Sequence, residues 1–455
     1  MRKNKLLALG LAALMAASVA GCSTPSASVD DTKAAESGSD SSQSAAAGEK
    51  IFRYSNTADI ATIDPDKTNS VADATVSYHI YDGLYRNVQG ELQPATAESY
   101  EVSDDGLVYT FKLRQDTKWS DGQTVTAKDY EYGMKRLCDP AAACPASYLG
   151  AVLKNGAKVS GGELSVDELG VKALDDFTLE ITLENPADYF VSMTSMSAFM
   201  PVREDLVEKY GNEFGGSADK QVYNGPFVVT EYANGKVELA KNPDYYDNEK
   251  ISLDGVEILT VADQTTAVSM FDAGSLDLAE VPTELAAQYE GKTQSYYSGA
   301  DDYAALNHRN KYLANKNLRL AMNYAVNREE YILLTHNGLY QANQRYVLPQ
   351  VRGVDGEYGT EYPLEAFPLQ GDLDKAKEYL DTALSELGLS SASDISLKLV
   401  VSDSDTAKKE AEVVANQWKN NLGINVDINM VPYATRNALL VPDSDEYDII
   451  MSGWA

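Results

Sequence analysis

The sequence predicts a mixed fold, in which an α+β first half precedes a more regular α/β second half. Apolar residues alternate along short runs in the first half, as in Tyr109, Phe111 and Leu113, which is typical of half-buried strands. The second half contains a strand, a helix and a strand in succession, which predicts parallel pairing. About 400 residues of globular composition begin at Ile51, which is too many for one core. We therefore expect two or three domains.

The first half combines strands and hairpins with an occasional helix. Thr126 and Asp129 can form a capping box, and Tyr130, Met134 and Leu137 then share one face of the helix that follows. The run DFTLEITLENP repeats the alternating strand pattern. The stretch from GPFVV to NPDYY predicts a hairpin, because its Asn-Gly pair suits a turn with positive φ.

The second half alternates two amphipathic helices with strands. Residues 374–387 place Ala and Leu side chains on one helical face, and Gly388 follows where the helix should end. The run ISLKLVVS alternates as a strand, and a second helix through Trp418 should end at Gly423. The runs INVDINMV and YDIIMSGW predict two further strands.

The N-terminus has the features of a bacterial lipoprotein signal. Residues 1–21 join a cationic start to an apolar core that is shorter than the roughly 20 residues of a membrane-spanning helix, and small residues precede Cys22. We expect Cys22 to be lipidated after cleavage, with an ordinary secretory signal as the alternative. Residues 22–48 are rich in Ser, Ala and Asp and predict a disordered tether. The body is therefore expected outside the cell, anchored to the outer face of the bacterial cytoplasmic membrane.

Charge and motif content argue against several functions. The formal net charge of −31 makes nucleic acid a poor partner. His79, His308 and His336 occur in no metal-binding spacing, and we expect them to be structural or surface residues. The sequence has no nucleophile elbow, phosphate-binding loop or dinucleotide fingerprint. We expect a binding protein, neither an enzyme nor a protein with a metal or other cofactor.

Two residue types leave alternatives open. The spacing of Cys138 and Cys144 favours a small disulfide loop in an oxidising compartment, with two free thiols as the alternative. Tyr outnumbers Phe by 29 to 9. Tyr suits a wet binding cleft because it joins an apolar face to a hydroxyl, although many Tyr residues also cover half-exposed strands.

Seven stretches, in order along the body, resemble the extracytoplasmic oligopeptide-binding proteins of ABC importers, which are solute-binding proteins of family 5. Any one stretch is a weak match, and the order of all seven is specific. The stretches are TIDP with YDGLY, PATAESYEVSDDGLVYTFKLRQDTKWSDGQTVTAKDY, NGPFVVTEY with LAKNPDYYD, FDAGSLDLAEVP, NKNLRLAMNYAVNREEYI, AEVVANQWKNNLGINVDINMV and YDIIMSGWA.

The resemblance implies a two-lobed, three-domain fold of the type II periplasmic-binding-protein kind, with a hinge and an interlobe cleft. It places the lobe I core at residues 49–77 and 196–300, an extra domain at 78–195 and lobe II at 301–455. A short extended peptide would pair its main chain with strand edges in the cleft, while its side chains enter hydrated pockets. The implied partners are short peptides and an ABC transporter permease with its ATPase subunits. We expect the protein itself to be a monomer.

The resemblance also carries nine positions of this sequence to the ligand cleft. Tyr433 stands where relatives can have Trp, and for each Tyr the alternative is packing in the hinge or core. The nine are Asn69, Ser70, Val71, Tyr148, Tyr303, Tyr433, Ser452, Gly453 and Trp454.

One departure from the family concerns the last residues. In relatives an Asp soon after the Gly-Trp pair binds the α-amino group of the peptide, and the chain then returns to lobe I. This sequence ends at Ala455 before either feature. We therefore expect an incomplete second lobe with an exposed apolar strand edge.

Three rival functions remain at this level. The same fold can bind a dipeptide, a nickel complex, a sugar or haem, because a fold does not determine a ligand. A receptor that senses a peptide signal without transport is a second rival. A lipid-anchored hydrolase is the third, and it needs a catalytic constellation that the sequence does not offer.

Overall fold

The chain packs around two hydrophobic cores in the computed structural model. The structure describes residues 49–454, except positions 69, 234, 297, 365–366 and 441–443. The predicted signal peptide, Cys22, the tether and Asn69 therefore lie outside the described residues. The first core draws on residues between Tyr54 and Ile258, and the second on residues between Leu313 and Ile449. Within the described ranges, no helix combines the length and apolar composition needed to cross a membrane.

The elements around the first core are mainly strands with short helices. In chain order they are β1 (Ile51–Asn56), α1 (Val71–Ile80), β2 (Tyr85–Val88), β3 (Glu91–Pro94), β4 (Ala97–Val102), β5 (Val108–Leu113), α2 (Ala127–Cys138), α3 (Gly156–Ser160), β6 (Val171–Asp175), β7 (Thr178–Thr182), α4 (Phe190–Met193), α5 (Glu204–Tyr210), β8 (Phe227–Ala233), β9 (Lys236–Lys241), β10 (Gly255–Thr260) and α6 (Gln264–Asp272).

Three sheets organise this part of the chain. One has the strand order β1-β10-β9-β8, a second has the order β4-β5-β7-β6, and β2 pairs with β3. The strand β1 is parallel to β10, although some 200 residues separate them, and the other pairs are antiparallel. The predicted alternation is confirmed in β5, where Tyr109, Phe111 and Leu113 are buried.

Helix α2 forms where its capping sequence predicts it. Asp129 accepts a hydrogen bond from the backbone N–H of Thr126 at 2.7 Å, and the two residues form a capping box. Tyr130, Met134 and Leu137 are fully buried on its inner face, as predicted. The helix packs against β6 and β7, so it closes the core beneath the second sheet.

The elements around the second core are longer and more regular. In chain order they are β11 (Asp301–Leu306), α7 (Lys316–Tyr324), α8 (Arg328–His336), α9 (Tyr358–Glu361), α10 (Leu373–Leu387), β12 (Ser396–Ser402), α11 (Asp405–Leu422), β13 (Asn425–Val431), α12 (Tyr433–Leu439) and β14 (Ile449–Trp454). The four strands form one sheet with the order β11-β14-β12-β13.

The predicted crossover is confirmed in this sheet. β12 and β13 are parallel and are connected by α11, whose Trp418 is buried in the second core. Gly388 and Gly423 end α10 and α11 in the left-handed conformation, with φ of 67° and 80°. That conformation disfavours residues with a Cβ, which explains glycine at both positions.

The strand β14 lies inside the sheet. It pairs with β11 along its whole length, antiparallel, and with β12 in parallel at Ile449 and Ile450. Ile449 and Ile450 are fully buried. The edge that faces away from β11 therefore stays open only from Met451 to Trp454, among the strands that the structure describes.

The favoured disulfide between Cys138 and Cys144 is corrected by the structure, where both residues are buried free thiols. Cys138 ends α2 beside Gly150, whereas the Sγ of Cys144 donates to the carbonyl oxygen of Arg136 at 3.5 Å. Burial raises the pKa of the Cys138 thiol to about 11 and that of Cys144 to about 12. Both thiols are therefore protonated and unreactive at neutral pH.

Candidate functional site

The open edge of β14 is the centre of the candidate site. Ser452 lies opposite Tyr303 on β11, and Gly453 lies opposite Asp302. Pairing with β12 ends at Ile450, so the main chain from Met451 to Trp454 has no strand partner on that side within the described sheet. Unpaired N–H and C=O groups on a strand edge can pair with another extended chain.

Two aromatic side chains lie near this edge. The half-buried ring of Tyr303 contacts Tyr346 edge to face, with 5.3 Å between ring centroids. Tyr433 begins α12, is 62% exposed, and has the Arg436 guanidinium 4.8 Å from its ring centroid. Arg436 Nη1 donates a hydrogen bond to Ser452 Oγ at 2.5 Å. Arg436 thus connects Tyr433 to the strand edge.

A cluster of charged groups adjoins the same strand. The Asp302 carboxylate lies against the main chain of Gly453, where an added Cβ would be 2.7 Å from Asp302 Oδ1, so a larger residue would require the Asp302 side chain to move. Partial burial raises the pKa of Asp302, and the Glu410 charge raises it further, while His336 and Arg436 act in the opposite direction. His336 Nε2 is 3.0 Å from Glu410 Oε1.

The sequence analysis did not place four residues in the site, namely Asp302, His336, Glu410 and Arg436. One signal could have found Arg436, because it follows Tyr433 by three residues and therefore shares its helical face. The charged cluster gives no such local signal. Its members come from β11, α8 and α11, which only the tertiary fold brings together.

Three predicted residues lie around the first core. Ser70 is the N-cap of α1, where its Oγ accepts a hydrogen bond from Asp73 N at 3.1 Å. Val71, the first residue of α1, is 75% exposed, and Tyr148 is 61% exposed in a short 3-10 segment, Ser147–Val152. The Ser70 side chain therefore stabilises the helix end, while Val71 and Tyr148 are accessible to a ligand.

A buried ion-pair network holds the segment before α1. Arg136 on α2 donates to both oxygens of Asp64, at 2.8 and 2.6 Å, and to Asp66 at 2.7 Å. Lys67, next along the chain, donates to the carbonyl oxygens of Ala142 and Ala143. These bonds connect the turn that leads to Ser70 with the loop that leads to Tyr148.

The network contains two carboxylates for one guanidinium. Burial raises the pKa of Asp66 to about 7, and the negative charge of Asp64 raises it too, while Arg136 opposes the shift. Asp66 Oδ1 is buried and has no hydrogen-bond partner among the described residues. A proton on Asp66 removes one buried charge and its repulsion from Asp64.

The structure sorts the predicted contacts into two groups. Tyr303, Tyr433, Ser452, Gly453 and Trp454 meet at β11, α12 and β14 beside the second core. The second group, Ser70, Val71 and Tyr148, lies beside the first core. Within the described residues, no hydrogen bond or ring contact joins the two groups, so their joint role in one cleft stays a prediction.

Comparison with known proteins identifies the family. A family model described as bacterial extracellular solute-binding proteins, family 5 Middle, matches residues 91–455. The oligopeptide-binding protein OppA of Bacillus subtilis is 31% identical over 403 residues, which cover 86% of this chain and 72% of the relative. This chain belongs to the family 5 solute-binding proteins.

Other members of family 5 extend the comparison. The structure of Listeria monocytogenes OppA bound to peptide matches with a TM-score of 0.75 and 29% identity, covering 90% of this chain and 82% of that one. A probable deoxycholate-binding periplasmic protein of Escherichia coli, YgiS, is 30% identical over 86% of this chain and 72% of its own length. The family predicted from seven short stretches and its mixed helix-and-sheet fold are thus confirmed.

We expect Asp66→Asn to gain stability relative to the wild-type protein as the pH rises. In the folded protein the pKa of Asp66 is raised to about 7, so the folded state keeps its proton at pH values where the unfolded state has lost it. The contribution of Asp66 to the free energy of unfolding is therefore fully present below the unfolded pKa and is lost as the pH rises towards 7. The free energy of unfolding of the variant minus that of the wild type should increase by at least about 1.4 kcal/mol between pH 4 and 7, the equivalent of one pKa unit.

Urea unfolding at both pH values measures this difference. Asp59→Asn, at an exposed position, is the matched control for the loss of one carboxylate. A difference that stays flat or decreases with pH would contradict the assigned protonation of Asp66.

Proposed function

We propose that this protein captures short peptides between its two cores and delivers them to the permease of an ABC transporter. One observation carries the proposal: among the described strands, none pairs with one side of the β14 main chain from Met451 to Trp454, and Tyr303 and Tyr433 lie near it. The names of the OppA relatives and the peptide in the Listeria structure support a peptide as the ligand.

The proposed binding mode tolerates many peptide sequences. Main-chain hydrogen bonds to β14 would supply affinity that does not depend on side-chain identity. Tyr433 offers an exposed ring on which different ligand side chains can pack. Water between ligand side chains and polar protein groups would adapt to each peptide.

Delivery requires that the occupied protein differs from the empty one. Two cores joined by the chain near residues 261–300 allow a hinge motion that closes over a ligand. The Asn337 side chain, after α8, donates to Thr283 O at 3.2 Å, which is a contact that such a motion could change. A permease that binds the closed form better would select the loaded protein.

The proposed location is the outer face of the cytoplasmic membrane. Acyl chains on Cys22 would anchor the protein, and residues 22–48 would let the body reach a permease in the same membrane. The body carries most of the acidic residues, and we expect it to be repelled by an anionic lipid surface. Retention would then depend on Cys22.

A different ligand on the same fold is the main competing proposal. The relative YgiS is named as probably deoxycholate-binding, so family membership does not by itself select peptides. Deoxycholate lacks the regular N–H and C=O groups that pair with a strand edge. The unpaired edge of β14 therefore favours a peptide.

We expect short peptides to bind with affinities that depend on the main chain more than on side chains. Replacing single residues of a tetra-alanine peptide by other uncharged residues should change the Kd by less than about 10-fold, whereas N-methylation of alternate peptide bonds should weaken binding by at least about 10-fold. Isothermal titration calorimetry measures both series, with deoxycholate titrated in parallel. Binding of deoxycholate without any peptide binding would contradict the proposal.

We expect Cys22→Ala to release the protein from membranes, because it removes the proposed acylation site. Cell fractionation should find the wild-type protein in the membrane pellet and the variant in the soluble extracytoplasmic fraction. Ser23→Ala is the neighbouring control and should leave the distribution unchanged. Equal membrane retention of wild type and Cys22→Ala would rule out the anchor.

A further inference from the structure

Arg436 differs from the other deeply buried arginines of the described chain. Arg136 is 9% exposed and bonds two carboxylates, and Arg203 is 7% exposed and bonds Asp121 and Asp205 at 2.8 to 2.9 Å. Arg436 is also 7% exposed, but among the described residues no carboxylate oxygen lies within 4.0 Å of its guanidinium. Its partners are neutral, namely the Ser452 hydroxyl and the Tyr433 ring.

This arrangement leaves donor capacity unused. The Nε–H of Arg436 is buried and has no hydrogen-bond partner among the described residues. Withdrawing a guanidinium from water without a counter-ion is unfavourable, since the lost hydration is not replaced. A charge-assisted bond to an anion would offset that cost. The Asp302 charge acts on Arg436 through space, and the described residues include no ion pair between the two.

The unpartnered donor occurs at the candidate site. Arg436 is anchored to Ser452, in the middle of the open edge of β14, and Tyr433 covers the guanidinium with a ring that is itself exposed. A planar guanidinium supported on an aromatic face is restrained, so its remaining donors are oriented before a ligand arrives. An extended ligand along Met451–Trp454 would pass beside it.

We infer that Arg436 binds a carboxylate of the ligand and thereby makes the protein selective for peptides that carry an anionic group beside Ser452. The inference rests on the proposed function, which it deepens. The carboxylate can belong to the C-terminus of the peptide or to an Asp or Glu side chain. Both present the same two oxygens to the guanidinium, and the ligand series below separates them.

Calorimetry with four peptides tests the inference. Ala-Ala-Ala is compared with its C-terminal amide, and the amide of Ala-Asp-Ala with that of Ala-Asn-Ala. In one of the two pairs, the wild-type protein should bind the carboxylate-bearing member at least about 10-fold more tightly, as expected for a hydrogen bond between charged groups. The pair that shows the preference identifies the source of the carboxylate.

Variants assign the preference to Arg436. Arg436→Gln should reduce it to less than about 2-fold, and Arg436→Lys should keep an intermediate preference, because Lys retains the charge without the planar fork. Arg309→Gln is the control, since Arg309 is half-exposed and lies 3.9 Å from Asp445. It should keep the wild-type preference.

Thermal unfolding without peptide provides a second readout. Removing a buried guanidinium that lacks a counter-ion should leave the Tm of Arg436→Gln equal to or above that of the wild type. A Tm well below wild type for both Arg436→Gln and Arg436→Lys would assign Arg436 to structure and overturn the inference.

The binding outcomes separate this inference from the proposed function. If peptides bind the wild type but neither pair shows a preference, or if the preference survives in Arg436→Gln, the inference is wrong and the proposed function stands. If no peptide binds the wild-type protein, both are wrong.

Discussion

The antiparallel pairing of β11 with β14 is the interaction on which the site depends. It joins residues 301–306 to residues 449–454 and places Tyr303 and Asp302 beside Ser452 and Gly453. β14 is also held to β12 through the buried residues Ile449 and Ile450. The first residues of β14 are thus packed in the core. From Met451 to Trp454, no described strand pairs with the side of β14 that faces away from β11. A rigid strand that presents unpaired main chain is the element that extended ligands require.

Buried charge is handled differently in the two parts of the molecule. Around the first core, the Arg136 guanidinium bonds Asp64 and Asp66, and these bonds hold the loop geometry before α1. Around the second core, the partners of Arg436 among the described residues are a hydroxyl and an aromatic ring. A guanidinium bonded to carboxylates is held in place, whereas a guanidinium without a carboxylate partner keeps donors that an anionic ligand can use. The contrast separates a structural arginine from one suited to binding.

Local features of the fold were predictable from the sequence because local residues decide them. The Thr126–Asp129 capping box, the buried face of α2 and the glycines after α10 and α11 each depend on neighbours within a few positions. The crossover from β12 to β13 followed from the order of elements. The family followed from seven stretches in a fixed order.

The remaining features depend on tertiary contacts that no short stretch encodes. Asp66 and Arg136 are 70 positions apart in the sequence. The separation between Asp302 and Gly453 is more than twice as large. The spacing of Cys138 and Cys144 is compatible with a disulfide, but the packing of α2 directs the Cys144 thiol to the Arg136 carbonyl. Arg436 gave a weak local signal, and our proposal that it binds ligand depends on the lack of a carboxylate partner among the described residues.

We propose that a peptide is captured between the two cores and that the protein closes over it. Small-angle X-ray scattering, with peptide binding measured on the same sample by calorimetry, measures this closure. We expect a smaller radius of gyration in saturating peptide and no change with an N-methylated peptide that does not bind. Saturated peptide binding with an unchanged radius of gyration would contradict it.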